Sequence, residues 1–135
     1  MNRRRAREYT LQMLFQVEFS GKDRLSFPDD FWVGKEDSED LKSFTQELFR
    51  GTSGHQEEID AIIQGAADNW DLKRMAAVDR NILRFAVYEI VYRADIPSAV
   101  TINEALEIAK KYSSQESAPF INGLLDKIAK SRGKA

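Results

Sequence analysis

The chain has 135 residues, 42% of them apolar and 31% charged, a composition that suits one globular domain with a real core rather than a disordered chain. It has no cysteine, which rules out disulfides, thiolate metal sites and a Cys nucleophile, and its formal net charge is −2. No apolar run approaches the length of a membrane span, and the basic N-terminus lacks the apolar stretch of a signal peptide, so the expected location is the cytoplasm.

The charge is unevenly spread. Residues 18–60 hold twelve acidic and five basic groups, whereas 1–7 hold four arginines and 127–134 hold Lys127, Lys130, Arg132 and Lys134 with no acid. An acidic protein can therefore own a basic face where its two ends meet.

Helical periodicity dominates the chain. The first helix is predicted from Arg3 to Phe19, with two apolar stripes: Ala6, Tyr9, Met13 and Val17, and Leu11, Leu14 and Phe15. That surface is wider than a single core contact needs. Arg3, Arg4, Arg5 and Arg7 crowd its start, against the helix dipole. They are expected in solvent or on phosphate, for which the guanidinium fork is well shaped, and to be dispensable for folding. A solvated basic end is the plainer reading.

Residues 21–38 read as a loop or short-helix region with Pro28 and an acidic rim around Phe27, Phe31 and Trp32. A second helix is predicted to start near Ser38, cover Leu41, Phe44, Leu48 and Phe49, and break at Gly51 and Gly54. Ser53 and Gln56 have capping-box spacing and would open a third helix through Ile59, Ile62 and Ile63. Trp70 and Leu72 mark a connection. Residues 77–93 are apolar nearly all round and are predicted to form a central, enclosed helix. Within it, Arg84 must pair with an acid or reach a surface anion, and Glu89 with Arg93 has i,i+4 spacing.

Pro97 falls in the next turn. Thr101 and Glu104 form another capping box, before the face Ile102, Ala105, Leu106, Ala109 and Tyr112. Lys110 and Lys111 follow that face, with a Glu107–Lys111 surface pair as the plain reading. The last helix should start near Ser117, with Pro119 in its first turn and a stripe of Ile121, Leu124, Leu125 and Ile128. Phe120 lies off that stripe, open to core packing or to stacking on a base. Gly123 inside this helix implies that something approaches closely. The fold class expected is all-α, with about seven helices in two small bundles sharing the central one.

Catalysis finds little support. The only histidine, His55, lies in a polar stretch, no metal-ligand spacing or phosphate-binding glycine loop is present, and neighbouring carboxylates such as Glu57 and Glu58 diverge on a helix. Neither metal nor cofactor is expected.

The string Arg3-Arg4-Arg5-Ala6-Arg7-Glu8 followed by Leu14-Phe15 resembles the opening of the NusB family of transcription antitermination factors. So do Val78-Asp79-Arg80-Asn81-Ile82-Leu83-Arg84 with Tyr88-Glu89, Ile102-Asn103-Glu104-Ala105, and Phe120-Ile121-Asn122-Gly123-Leu124-Leu125-Asp126. The resemblance spans nearly the whole chain, with residues 20–70 its weak part. It implies a single helical domain over 1–135 that binds boxA RNA of ribosomal RNA leaders as a heterodimer with NusE. The pair would join RNA polymerase with other Nus factors. On this chain it places Arg3, Arg4, Arg5, Arg7, Arg84, Lys110, Lys111 and Phe120 at RNA, and Phe15 and Asp79 at NusE. Asn122 and Gly123 would shape the helix. A related domain precedes the catalytic domain of some ribosomal RNA cytosine methyltransferases, but a chain without cysteine that ends at Ala135 is not expected to be such an enzyme. A protein-interaction bundle that self-associates, as a homodimer in the absence of partners, is the other alternative.

Overall fold

The computed structural model describes residues 2–20 and 30–132. Its described residues form six α-helices and one 3-10 turn, with no strand: α1 Arg3–Ser20, α2 Glu39–Gly54, α3 Gln56–Ala66, the 3-10 turn Leu72–Arg74, α4 Ala77–Tyr92, α5 Ser98–Tyr112 and α6 Ser117–Arg132. The count is close to the seven expected, and the 3-10 turn falls in the connection expected around Trp70 and Leu72. Phe27 and Pro28 lie outside the described residues.

The fold is organised around α4. Ile82, Leu83, Phe85, Ala86, Val87 and Ile90 are all fully buried, and α4 touches every other α-helix. α1 and α2 pack together on one side of it, and α3, α5 and α6 on the other, giving two small bundles with α4 common to both. A helix apolar on all faces has no other stable place in water.

Local signals explain several boundaries. Ser38 caps α2 by accepting from the Leu41 amide at 3.2 Å, and Glu39 and Asp40 in the first turn suit the helix dipole. Pro97 and Pro119 sit at or within helix starts, where a missing N–H costs nothing.

Other boundaries depart from the sequence reading. α2 continues through Gly51 and stops only at Gly54, because Gly51 is where the Tyr88 ring of α4 lies against the α2 backbone. Ser53 is buried inside α2, and α3 begins behind His55 with no side-chain cap. Thr101 is likewise inside α5, where its hydroxyl donates to Glu89 at 2.7 Å instead of capping. No close neighbour lies over Gly123, where an added Cβ meets nothing within 4 Å.

Part of the wide apolar surface of α1 is covered by the segment before α2. Tyr9 meets Phe31 and Trp32 edge-on at 5.4 and 5.5 Å and donates to Asp37 at 2.8 Å. The C-terminal half of the surface stays open at Phe15 and Phe19.

Candidate nucleic-acid interface

Helical phase divides the four N-terminal arginines. Arg3, Arg4 and Arg5 are exposed, but Arg7 is 2% exposed. Arg7 is one turn from Thr10 and Leu11 and two turns from Leu14, all buried, so it points inward with them. There it donates to both oxygens of Glu89, at 2.7 and 2.9 Å. The expectation that Arg7 grips RNA is corrected: a guanidinium sealed in the core and paired with a buried carboxylate cannot reach a phosphate.

Arg84 is corrected on the same ground. It donates to both oxygens of Asp60, at 2.8 and 3.0 Å, and to Glu18 at 3.0 Å, and is buried. Arg80 grips Glu18 from the other side with two bonds of 2.8 Å. These pairs tie α4 to α1 and α3. Glu89 pairs with Arg7, while Arg93 pairs with Asp95 and Glu47.

The exposed cations converge on one groove. Asn2, Arg4, Arg5 and Glu8 of the α1 end and Glu107, Lys110 and Lys111 of α5 line a hollow of about 550 Å³. Each cation has a carboxylate beside it: Arg4 has Glu104 at 2.5 Å, Arg5 has Asp37 at 3.2 Å, Lys110 has Glu107 at 3.5 Å and Lys111 has Glu8 at 2.9 Å. The hydrogen bond from Arg4 to Glu104 and that from Lys111 to Glu8 raise the pKa of each cation, so both stay charged. Exposed pairs of this kind hold loosely and exchange readily for a multivalent anion. Arg3 lies over the Phe44 ring, 4.6 Å from its centroid.

Beside that groove runs a second, of about 660 Å³, lined by Leu11, Gln12, Phe15, Val78, Lys111 and Tyr112 among others. Phe15 is 39% exposed and Phe19 65% exposed, with ring centroids 4.9 Å apart. Asp79, paired with Phe15 in the expected partner surface, is instead nearly buried. It accepts from Ser113 at 2.6 Å and Ser117 at 2.8 Å, pinning the α5–α6 turn to the start of α4. It can shape the groove wall but offers no carboxylate to a partner.

Phe120 is half-buried in the first turn of α6, where it packs on the core and also meets Trp70 edge-on at 5.7 Å. Trp70, which the sequence marks only as part of a connection, is 60% exposed. A large aromatic side chain in a polar link between helices was its signal. No group of three or more His, Asp or Glu residues that could hold a metal occurs among the described residues, and no helix there is long and apolar enough to cross a membrane.

Comparison with known proteins places these features in a family. A family model described as the NusB family matches residues 4–130. The transcription antitermination protein NusB of Thermodesulfovibrio yellowstonii is 51% identical, over 96% of this chain and 93% of that protein. That of Desulfitobacterium hafniense is 49% identical, over 99% and 92%. Among solved structures, T. maritima NusB superposes with a TM-score of 0.90 at 38% identity, covering 99% of this chain and 94% of that one. A crystal structure of antitermination factors NusB and NusE in complex with dsRNA matches with a TM-score of 0.82 at 25% identity, covering 97% and 99%.

Proposed function

The chain belongs to the NusB family, and from that premise we propose that it is a transcription antitermination factor that binds boxA RNA as a heterodimer with NusE. The pair joins the elongating RNA polymerase with other Nus factors. The protein acts in the cytoplasm as one domain over residues 1–135, by binding and not by catalysis, and uses no metal or cofactor.

The observation that carries this reading is the convergence of Arg4, Arg5, Lys110 and Lys111 from two helices on one groove. A flexible basic tail would attract RNA without fixing its path. Cations held on α1 and α5 set a fixed spacing of charge, against which a strand takes a register. Arg3, Arg4, Arg5, Lys110 and Lys111 are assigned to phosphates and Phe120 to an unstacked base. Phe15, with Phe19 beside it, is assigned to NusE, and Asp79 to positioning the wall of that surface. Arg7 and Arg84 serve the interior.

The test is binding of a boxA-containing RNA and a scrambled control, with and without NusE, over a salt series. Preference for boxA that strengthens with NusE supports the assignment. Each phosphate contact on a single strand steepens the slope of log K against log salt by about 0.7, so the five assigned contacts give a slope of about −3.5. Equal binding to both RNAs reduces the protein to a general RNA-binding module. Self-association through the Phe15 and Phe19 face with no RNA binding would replace the reading.

A further inference from the structure

We propose that Trp70, Gly123 and Lys127 form a slot for one unstacked nucleobase of the bound strand, next to the base assigned to Phe120; this rests on the RNA-binding reading above. Gly123 lies mid-way along α6, where glycine is the least favourable residue after proline. Gly51, the comparable glycine inside α2, has a reason within the chain, because the Tyr88 ring fills the space a side chain would need. Gly123 has none: a Cβ there meets nothing within 4 Å, and the position is exposed. What the missing side chain makes room for is outside the chain.

The surroundings say what fits. Phe120, Gly123 and Lys127 follow one face of α6 at i, i+3 and i+7. The link after α3 crosses that face and touches it at both ends. At one end Trp70 meets Phe120, with ring planes at 66°. At the other, the Lys127 ammonium donates to the Ala66 carbonyl and pairs with Asp68, both at 3.2 Å. Gly123 is left uncovered between them.

Trp70 is also rigidly presented. Gln64 donates to the Trp70 carbonyl at 2.5 Å and accepts from the Leu72 amide at 2.9 Å, clamping the backbone on both sides. Asp68 turns the link with a left-handed φ of 46°. The result is an exposed indole on a clamped backbone, set against Phe120 one turn before the uncovered Gly123. Asp68 offers an acceptor to a base amino group, and Lys127 a donor to a base carbonyl or a phosphate. An indole face with both edge groups suits a planar, hydrogen-bonding ring better than an apolar side chain.

The full chain with NusE and a boxA-containing RNA tests this. Gly123→Leu fills the slot and should weaken RNA binding at least fivefold while leaving the melting temperature unchanged or raised. Trp70→Ala should lose roughly fivefold or more, the range for one base on one aromatic side chain. In a Trp32→Phe background Trp70 is the remaining tryptophan. Its fluorescence should be quenched by the RNA with the same midpoint as binding. Wild-type binding with both variants within twofold overturns the slot alone. Quenching by NusE without RNA overturns it in favour of a protein contact. Failure of the wild type to bind boxA RNA overturns the functional reading and the slot with it.

Discussion

Arg7 and Glu89 meet end to end in the interior, Nε to Oε2 at 2.7 Å and Nη2 to Oε1 at 2.9 Å, with side chains 2% and 0% exposed. Glu104 links this pair to the surface: its carboxylate lies 3.7 Å from Arg7 and 2.5 Å from Arg4. The first turn of α1 is thus anchored from beneath by one arginine while its neighbours face outward. The anchor is what turns an arginine-rich end into a surface of fixed geometry.

Arg7→Ala should therefore behave unlike its neighbours. Removing one partner of a buried pair strands the other charge, at a cost of about 3–5 kcal/mol. The urea midpoint should fall accordingly, while Arg5→Ala leaves it essentially unchanged. RNA affinity should show the reverse pattern, with folded Arg7→Ala protein binding as wild type and Arg5→Ala binding more weakly. An Arg7→Ala variant with wild-type stability and poor RNA binding would return Arg7 to the interface.

Glu8 restrains the basic groove. Its carboxylate pairs with Lys111 at 2.9 Å on the path assigned to RNA. Glu8→Gln removes a negative charge that RNA must otherwise face, which at about 7 Å in water amounts to roughly threefold in affinity at low salt. The salt slope should steepen by up to about 0.7 as Lys111 engages its phosphate without competition from Glu8. Unchanged affinity and slope would place Lys111 off the RNA path.

Much of the helical framework was legible because burial repeats with the period of the helix. The all-round apolar run of α4 and the stripe Ile121, Leu124, Leu125 and Ile128 needed only that periodicity. The inward phase of Arg7 was readable too, from its spacing to Leu11 and Leu14, but its charge pulled the reading toward solvent. Its partner was not readable, since Glu89 lies 82 positions away. The two misplaced capping boxes share a cause. Ser53 and Thr101 have cap chemistry, yet both are buried inside helices, and Thr101 spends its hydroxyl on Glu89. The basic groove was half legible: its cations were visible, but the carboxylates that hold them come from elsewhere in the chain, and Trp70 gains meaning only beside Phe120.

Gly51 and Tyr88 provide a test of packing against propensity. Alanine is the better helix former by about 1 kcal/mol, so an open site would be stabilised by Gly51→Ala. Here the new Cβ would run into the Tyr88 ring, whose hydroxyl is hydrogen-bonded to Glu47 and resists swinging away. Gly51→Ala should instead destabilise by about 1–3 kcal/mol, the usual cost of overpacking. Adding Tyr88→Leu should recover part of that loss, a non-additivity that a urea double-mutant cycle reads directly. Stabilisation by Gly51→Ala alone would show that the two helices separate easily.

Glu18 predicts how stability follows acid. Burial raises its pKa, but the hydrogen bond from Arg80 and the charges of Arg80 and Arg84 together outweigh that, and the net value falls below the ordinary 4.5. A carboxylate depressed in the folded state contributes stability that is complete above its unfolded pKa and is lost as pH falls through the folded one. The urea midpoint should therefore stay level from neutral pH to about pH 5, then drop as protonation releases Arg80 and Arg84. Glu18→Gln should lower the midpoint at pH 7, since the amide keeps only one acceptor oxygen for the two 2.8 Å bonds of Arg80 and removes the charge that faces Arg80 and Arg84. Its curve should also be flatter below 4.5, converging on wild type in strong acid. Parallel curves for the two proteins across that range would mean that the Arg80–Glu18–Arg84 bridge does not titrate with folding, and the acid sensitivity would then have to come from another carboxylate.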